Sequence, residues 1–285
     1  RYSPVVQRIA AEHDIDLAAV TGTGREGRVR KQDVLALVAR PPAAAEAPLH
    51  IESPYRPDPE PSGGAGATLS RMRRQIGEHM KRSLDTAATC TTWTEVDMSR
   101  IEAARAPLRL TALPFVARAC IAALREHPAL NASLEGERYM RHHQVNLGIA
   151  VSLGDDGLIV PVLRDAHELS VEGLAARIKD LARRARAREL KPDEVRGGTF
   201  TITNPGQYGS IMATPIINQP QVGILDLEAV VKRPVVLTDA AGNDSIAIRP
   251  ITILGLSWDH RALDGVQSAQ FLASVRRYLE GWTGA

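Results

Sequence analysis

"ITILGLSWDHRALDG", residues 251–265, passes from a largely apolar run into Asp259-His260-Arg261 and then into Asp264-Gly265. The apolar half reads as a buried strand, and "GVQSAQFLASVRRYLEG" directly after it reads as a helix. A strand-to-helix turn holds side chains at the rim of a rigid sheet, where reactive groups are often placed. Gly265 is expected to let the chain turn, and Asp264 to cap the helix or accept hydrogen bonds locally. A histidine such as His260 is the side-chain type that can take and return a proton at neutral pH, and a thiol is a suitable partner. A structural histidine beside a capping aspartate is the competing reading.

Working outward, the chain from residue 68 is mixed α/β. "SRMRRQIGEHMKRSLD" predicts a helix with Met72, Ile76 and Met80 on one face, and "TCTTWTEVDM" alternates like a half-buried strand. "LTALPFVARACIAALREHP" predicts a buried helix stopped by Pro128. "VNLGIAVSL" and "GLIVPVL" predict consecutive strands about the turn "GDDG", and residues 170–190 a long amphipathic helix. "GGTFTITN", "VGILDLEAVVKRPVVL" and "SIAIRPITILGLSW" supply further strands. Runs of strands with a few long helices, rather than strict alternation, favour a sheet with helices on one face.

Residues 1–40 form a separate small unit. Val5, Ile9 and Ala10 follow a Ser-Pro start at helical spacing, Val34, Leu35 and Val38 repeat the pattern, and three glycines in "TGTGREGRV" permit a tight loop between them. Residues 41–67 hold seven prolines with Ala, Gly and acidic residues and no periodicity. That composition reads as a semi-extended linker with a reach of about 80 Å at ~3 Å per residue.

Apolar residues at 44% and charged residues at 24% are ordinary for a globular chain of 285 residues. A net charge of +2, from 35 basic and 33 acidic residues, lacks the signature of a nucleic-acid binder. No apolar run reaches the ~18 residues of a membrane span, because Arg118 interrupts the longest. Cys90 and Cys120 read as reduced core thiols, which places the chain in a reducing compartment, the cytoplasm of a bacterium or the matrix of a mitochondrion. The start at Arg1, without an initiator Met, reads as a cut from a longer chain.

Five stretches in order carry a resemblance. "SPVVQRIAAEHDIDLAAVTGTGREGRVRKQDV" resembles the peripheral subunit-binding domain of the dihydrolipoamide acyltransferases of 2-oxo acid dehydrogenase complexes. "LPFVARACIAALREHPALNASL", "NLGIAVSLGDDGLIVPVL", "GGTFTITNPG" and "DHRALDG" resemble their catalytic domain. The resemblance implies a peripheral subunit-binding domain at 1–40, a flexible linker at 41–67 and a catalytic domain at 68–285. The implied fold is an α/β (α+β) two-layer sandwich of the chloramphenicol-acetyltransferase type behind a small all-α domain, assembled as a homotrimer with sites at subunit interfaces.

The implied reaction moves an acyl group from S-acyl-dihydrolipoamide to coenzyme A. His260 is the implied general base and Thr203 the implied oxyanion donor, although Thr201 and Thr203 also fit a plain alternating strand. Asp264 is expected to hold the histidine loop, through hydrogen bonds or an ion pair with Arg73; Asn204 is a second polar wall or a turn former. Arg25 and Arg28, with Arg8, Arg30 and Lys31, crowd the glycine loop. In the family such residues bind acidic surfaces of the dihydrolipoamide dehydrogenase and the decarboxylase. The lipoyl group is expected on a domain that this stretch does not contain, and no metal is expected: the adjacent His142 and His143 would point to opposite sides of a strand. The Arg-rich "RIKDLARRARAREL" keeps Leu174, Ile178, Leu181 and Ala185 on one face and reads as a solvated helix.

Family members usually end in a leucine-rich apolar tail, whereas this chain stops at "YLEGWTGA", so trimers that do not close into a large shell are expected. "GQYGSIMATPIIN" and Thr203 lean toward succinyl transfer. Two rival readings remain: a chloramphenicol-type O-acetyltransferase, which has no use for the "GTGREGR" unit, and a non-catalytic scaffold that binds the dehydrogenase.

Overall fold

Ser3 and Pro4 start the first helix as a cap and a proline at the first helical position should. A computed structural model of the protein describes residues 2–39, 66 and 68–283. Helix α1 (Pro4–Glu12) has the Ser3 hydroxyl accepting from Val6 N, and α2 (Lys31–Val38) follows after the glycine loop. Val6, Ile9 and Ala10 pack on Val34, with Ile15, Leu17 and Val29 around them. Val5, Leu35 and Val38, expected on the inner faces, point outward, because two short helices meet along one narrow strip. Side chains at Gly22 or Gly24 would run into the Gly27–Val29 backbone and the Arg28 carbonyl at 2.4–2.6 Å, which is why the loop is glycine there. Asp33 ties it down by accepting from Thr23 N and Oγ1 and from Arg30 N, and these bonds hold its carboxyl below the usual range.

The chain divides into two compact units, Arg1–Gly66 and Ala67–Ala285. The expected linker at 41–67 lies outside the described residues except for Gly66.

The larger unit runs α3 (Arg71–Thr86), β1 (Thr89–Asp97), α4 (Ser99–Leu108), α5 (Leu113–Glu126), β2 (Ala132–Glu135), β3 (Arg138–Arg141) and β4 (Leu147–Ile149). Then come β5 (Val151–Ser152), β6 (Leu158–Ile159), β7 (Val162–Leu163), α6 (Val171–Arg186), β8 (Phe200–Thr203), β9 (Gly223–Leu227), β10 (Val231–Thr238), β11 (Asp244–Asp259) and α7 (Gly265–Glu280). The main sheet has the order β1-β11-β9-β8-β4-β7, with β10 added to the far end of β11. Strand β8 is parallel to β4 and β9, and the other pairs are antiparallel.

Register fixes the two faces. Ile202, Leu225, Leu256 and Thr92 lie side by side and face the helices, as do Leu227 and Leu254. They join Phe115, Phe200 and Phe271, all three phenylalanines of the chain, in one core. The opposite face carries Trp93, Gly255, Asp226 and Thr203 in one row. This is the two-layer α/β sandwich expected, behind a small all-α unit.

The expected hairpin about "GDDG" is present but broken, with β4 pairing β7 and β5 pairing β6. Pro161 has no N–H to continue the ladder there. On α6, Leu174, Ile178, Leu181 and Ala185 are buried as expected. Two of its arginines pair at the surface: Arg183 with Asp180 and Glu189 at 3.1 Å, and Arg184 bidentate with Glu194 at 2.7 Å and with Asp180 at 2.8 Å. On α3, Met72 is exposed and Ile76 and Met80 are only half-buried, so its apolar face is not sealed within this chain. Cys120 is buried, which pushes its thiol up, and Cys90 is half-buried; both are free. Among the described residues no helix is long and apolar enough to cross a membrane.

Candidate active site

The last turn of β11 is built around Asp259. Its carboxylate is buried and accepts from Ala88 N at 3.2 Å, from Arg261 N at 3.0 Å and from the Arg261 guanidinium at 2.6–3.1 Å. Burial works to raise this carboxyl, but the Arg261 side chain and the backbone donors outweigh it, and the group titrates below the usual range. Ala262 N and Leu263 N both donate to the Asp259 carbonyl, closing a tight turn that plugs Leu263 into the core.

His260 stands on this anchored turn. Its N–H donates to the Ala88 carbonyl at 2.8 Å, and its imidazole is exposed with one side against the Trp258 ring, centroids 4.7 Å apart. The ring is displayed rather than sealed in the core.

Arg261→Ala is expected to cost about 2 kcal/mol, since it strips a buried carboxylate of its charged hydrogen bonds. In the native chain the depressed Asp259 carboxyl adds stability that is complete above pH ~4 and lost as pH falls through its folded value. In the variant only the backbone donors Ala88 N and residue 261 N are left to oppose burial, so the depression shrinks and the stability lost on acidification is smaller. Melting temperatures from pH 3 to 7 for both proteins check this.

Asp264 and Arg73 do not meet the expectation of an ion pair. Asp264 caps α7, accepting from Val266 N at 3.0 Å and Gln267 N at 3.1 Å while the Gln267 amide returns a bond to its own N–H. Arg73 instead donates to the Asp155 carbonyl at 2.9 Å, tying α3 to the loop after β5. The reason is local: a carboxylate at a helix start finds two backbone donors without ordering a long side chain. The histidine loop is held by Asp259 and Arg261. Gly265 has no positive φ and open space where a side chain would stand, so the turn does not require glycine there.

The two threonines of β8 differ. The Thr201 hydroxyl donates to Gln221 Oε1 at 2.6 Å and is buried, whereas the half-buried Thr203 hydroxyl has no partner among the described residues. Asn204, next along, lines a cavity of about 410 Å³ at the ends of β4, β8 and β9, with Ser152, Gly206, Gln207 and Glu228.

Thr203, Asp226 and Gly255 share one register across β8, β9 and β11, and His260 lies five residues beyond Gly255. At about 3.3 Å per residue and 4.8 Å per strand this separates His260 and Thr203 by roughly 19 Å. One chain brings Thr203 and Asn204 together, and His260 with Asp264 and Gly265, but not the two groups with each other; Arg73 joins neither by a hydrogen bond.

Sequence reasoning missed two carboxylates. Asp226 and Glu228, 0% and 2% exposed, have no hydrogen-bond partner outside the pair on any of their four oxygens among the described residues. Burial, and then Glu228 beside it, push the Asp226 carboxyl up to about 8. The available signal was "LDLE": two acids at strand spacing in an otherwise apolar run. Asp259 and Arg261 flank His260, but their role as its brace is set by the fold, which brings Ala88 N to the Asp259 carboxylate, and no local motif announces it. Arg8, Arg25, Arg28, Arg30 and Lys31 are all exposed. His142 and His143 lie past the end of β3 rather than on a strand; His142 Nε2 is 3.1 Å from Ser133 Oγ, and burial lowers its pKa.

The chain matches the family model described as 2-oxoacid dehydrogenases acyltransferase (catalytic domain) over residues 64–285, and that of the e3 binding domain over residues 1–35. It is 42% identical, over 98% of its length, to the dihydrolipoyllysine-residue acetyltransferase component of the pyruvate dehydrogenase complex of Corynebacterium glutamicum, of which it covers 43%. It is 35% identical, again over 98%, to the dihydrolipoyllysine-residue succinyltransferase component of the 2-oxoglutarate dehydrogenase complex of Escherichia coli, covering 70% of it. The chain spans about half the length of the acetyltransferase relatives it matches. The crystal structure of a probable dihydrolipoamide acetyltransferase from Listeria monocytogenes superposes with a TM-score of 0.72 at 34% identity, over 78% of this chain and 96% of that one. By the catalytic-domain match and these identities, the chain belongs to the 2-oxoacid dehydrogenase acyltransferase family.

Proposed function

We propose that the chain transfers acyl groups between the sulfur of dihydrolipoamide and that of coenzyme A, as a core component of a 2-oxo acid dehydrogenase complex. Residues 68–285 form the acyltransferase domain, 41–67 the linker, and 1–40 the peripheral subunit-binding domain. The observation that carries this reading is an imidazole displayed on a braced turn at the rim of the sheet, in a chain whose Thr203 hydroxyl has no partner among the described residues.

The His260 imidazole takes the proton of the coenzyme A thiol, and the thiolate adds to the thioester carbonyl. The new oxyanion accepts a hydrogen bond from Thr203. Collapse of the intermediate expels the dihydrolipoamide sulfur, which recovers the proton from His260. Asp259 and Arg261 position the histidine; Asp264 acts through its cap on α7. Asn204 forms a polar wall beside Thr203. Coenzyme A and the lipoyl group, carried on another domain, are the substrates.

Because His260 and Thr203 of one chain stand too far apart to share a substrate carbonyl, each site takes its histidine from one copy and its hydroxyl from the next. The trimer follows as the smallest ring that the family resemblance supports. Inactive His260→Ala and Thr203→Val chains, refolded together at 1:1, are then expected to recover activity at about a quarter of the sites if copies mix at random. A mixture no more active than its parts would refute the shared site.

The exposed Arg25 and Arg28, with Arg8 and Lys31, are the contact for acidic surfaces of dihydrolipoamide dehydrogenase and the 2-oxo acid decarboxylase. Acetyl- and succinyl-transferring relatives both match over 98% of the chain, so family membership leaves the acyl group open. The whole reading is tested by assaying acyl exchange between acyl-CoA and free dihydrolipoamide.

A further inference from the structure

We propose that Trp258 is the residue that aims the His260 imidazole for proton transfer, and that Thr92 and Ser268 hold its indole in place from the first turn of α7. The inference rests on the acyl-transfer reading and deepens it by naming a positioning residue for that site.

No carboxylate among the described residues orients the ring. Asp259 spends its oxygens on Ala88 N and on the backbone and guanidinium of Arg261, and Asp264 spends its own on Val266 N and Gln267 N. Residue 260 is fixed through its backbone N–H, and neither ring nitrogen makes a hydrogen bond among the described residues. An exposed side chain on a fixed backbone still has several staggered wells open to it. Rotation between them swings the nitrogen that meets the thiol out of line.

Trp258 removes that freedom. Its ring lies against the imidazole with centroids 4.7 Å apart and planes tilted by 45°. The histidine stays exposed, so a thiol can still reach it.

A backing ring is of use only if it is itself held. Trp258 is 3% exposed in the main core, and its Nε1–H donates to Thr92 Oγ1 at 3.1 Å. Thr92 Oγ1 is 3.0 Å from Ser268 Oγ, and the buried Ser268 hydroxyl donates to the Gly265 carbonyl at 3.0 Å. A hydroxyl has one hydrogen, so Thr92 donates to Ser268, and the chain runs in one direction from the indole to Gly265. It ends on the helix start that Asp264 caps, four residues from the base.

The test uses the full chain, free dihydrolipoamide and whichever of acetyl-, isobutyryl- or succinyl-CoA it turns over fastest. Trp258→Leu is expected to lower kcat about tenfold or more with KM for the acyl-CoA little changed, because a misaimed base slows chemistry and not binding. Trp258→Phe restores a ring and is expected to recover most of the rate. In a His260→Ala background, Trp258→Leu is expected to change the residual rate less than about twofold, since its effect passes through the imidazole. Thr92→Val cuts the chain while filling the same space and is expected to lower kcat about threefold or more, with Thr92→Ser restoring it. It carries the test if Trp258→Leu fails to fold, which melting temperature and oligomer mass report. Unchanged kcat in folded Trp258→Leu or Thr92→Val overturns the inference and leaves acyl transfer standing. So does an equal loss from Trp258→Leu when residue 260 is already alanine. Turnover of none of the three acyl-CoAs by the unaltered chain overturns the acyl-transfer reading and this inference with it.

Discussion

Replacing His260 with alanine is expected to lower kcat for acyl exchange about 10³-fold, within the range a positioned general base supplies. Stability should hardly change. The ring is exposed, and the bond that fixes residue 260, from its N–H to the Ala88 carbonyl, belongs to the backbone. The turn stays braced by Asp259 and Arg261, so a loss of rate cannot be blamed on a collapsed loop. Stopped-flow or steady-state assay beside a melting curve separates the two. Turnover equal to that of the unaltered chain would leave only a scaffold role.

Thr203→Val is expected to cost about 10²-fold or more in kcat, near 3 kcal/mol of barrier, with KM little altered, because the hydroxyl is engaged only when the oxyanion forms. Valine suits a strand, and no hydrogen bond of the folded chain is lost, since Thr203 has no partner among the described residues. Thr201→Val should behave in the opposite way: its hydroxyl bonds Gln221 in the buried sheet, so stability falls while the chemistry is spared. Thr203→Ser restores a donor and should recover most of the rate. A Thr203→Val enzyme as fast as the parent would remove this residue from the site.

Periodicity located the long elements because each has a single buried face. Helix α6 buries Leu174, Ile178, Leu181 and Ala185 as its 3.6-residue spacing requires, and β11 is buried without a break from Ile251 to Asp259. What escaped was decided by backbone bookkeeping between distant residues. Pro161 breaks a ladder whose partners cannot be known from composition, and α4 hides its apolar side in one residue, Ile101. The site followed the same division. His260 and Thr203 announce themselves by local motif. The Asp264 cap on α7 is equally legible, from an acidic residue just before a helical pattern, whereas that Asp226 would lie beside Thr203 depends on strand register, which alternation alone does not fix.

The span of two strands and five residues between His260 and Thr203 also has a cellular meaning. With each site shared between copies as proposed, a lone copy would hold half of two different catalytic centres and all of none, and could not squander thioesters while adrift in solution. Diluting the assembly should therefore extinguish turnover more steeply than in proportion to protein concentration, which makes association itself the on-switch.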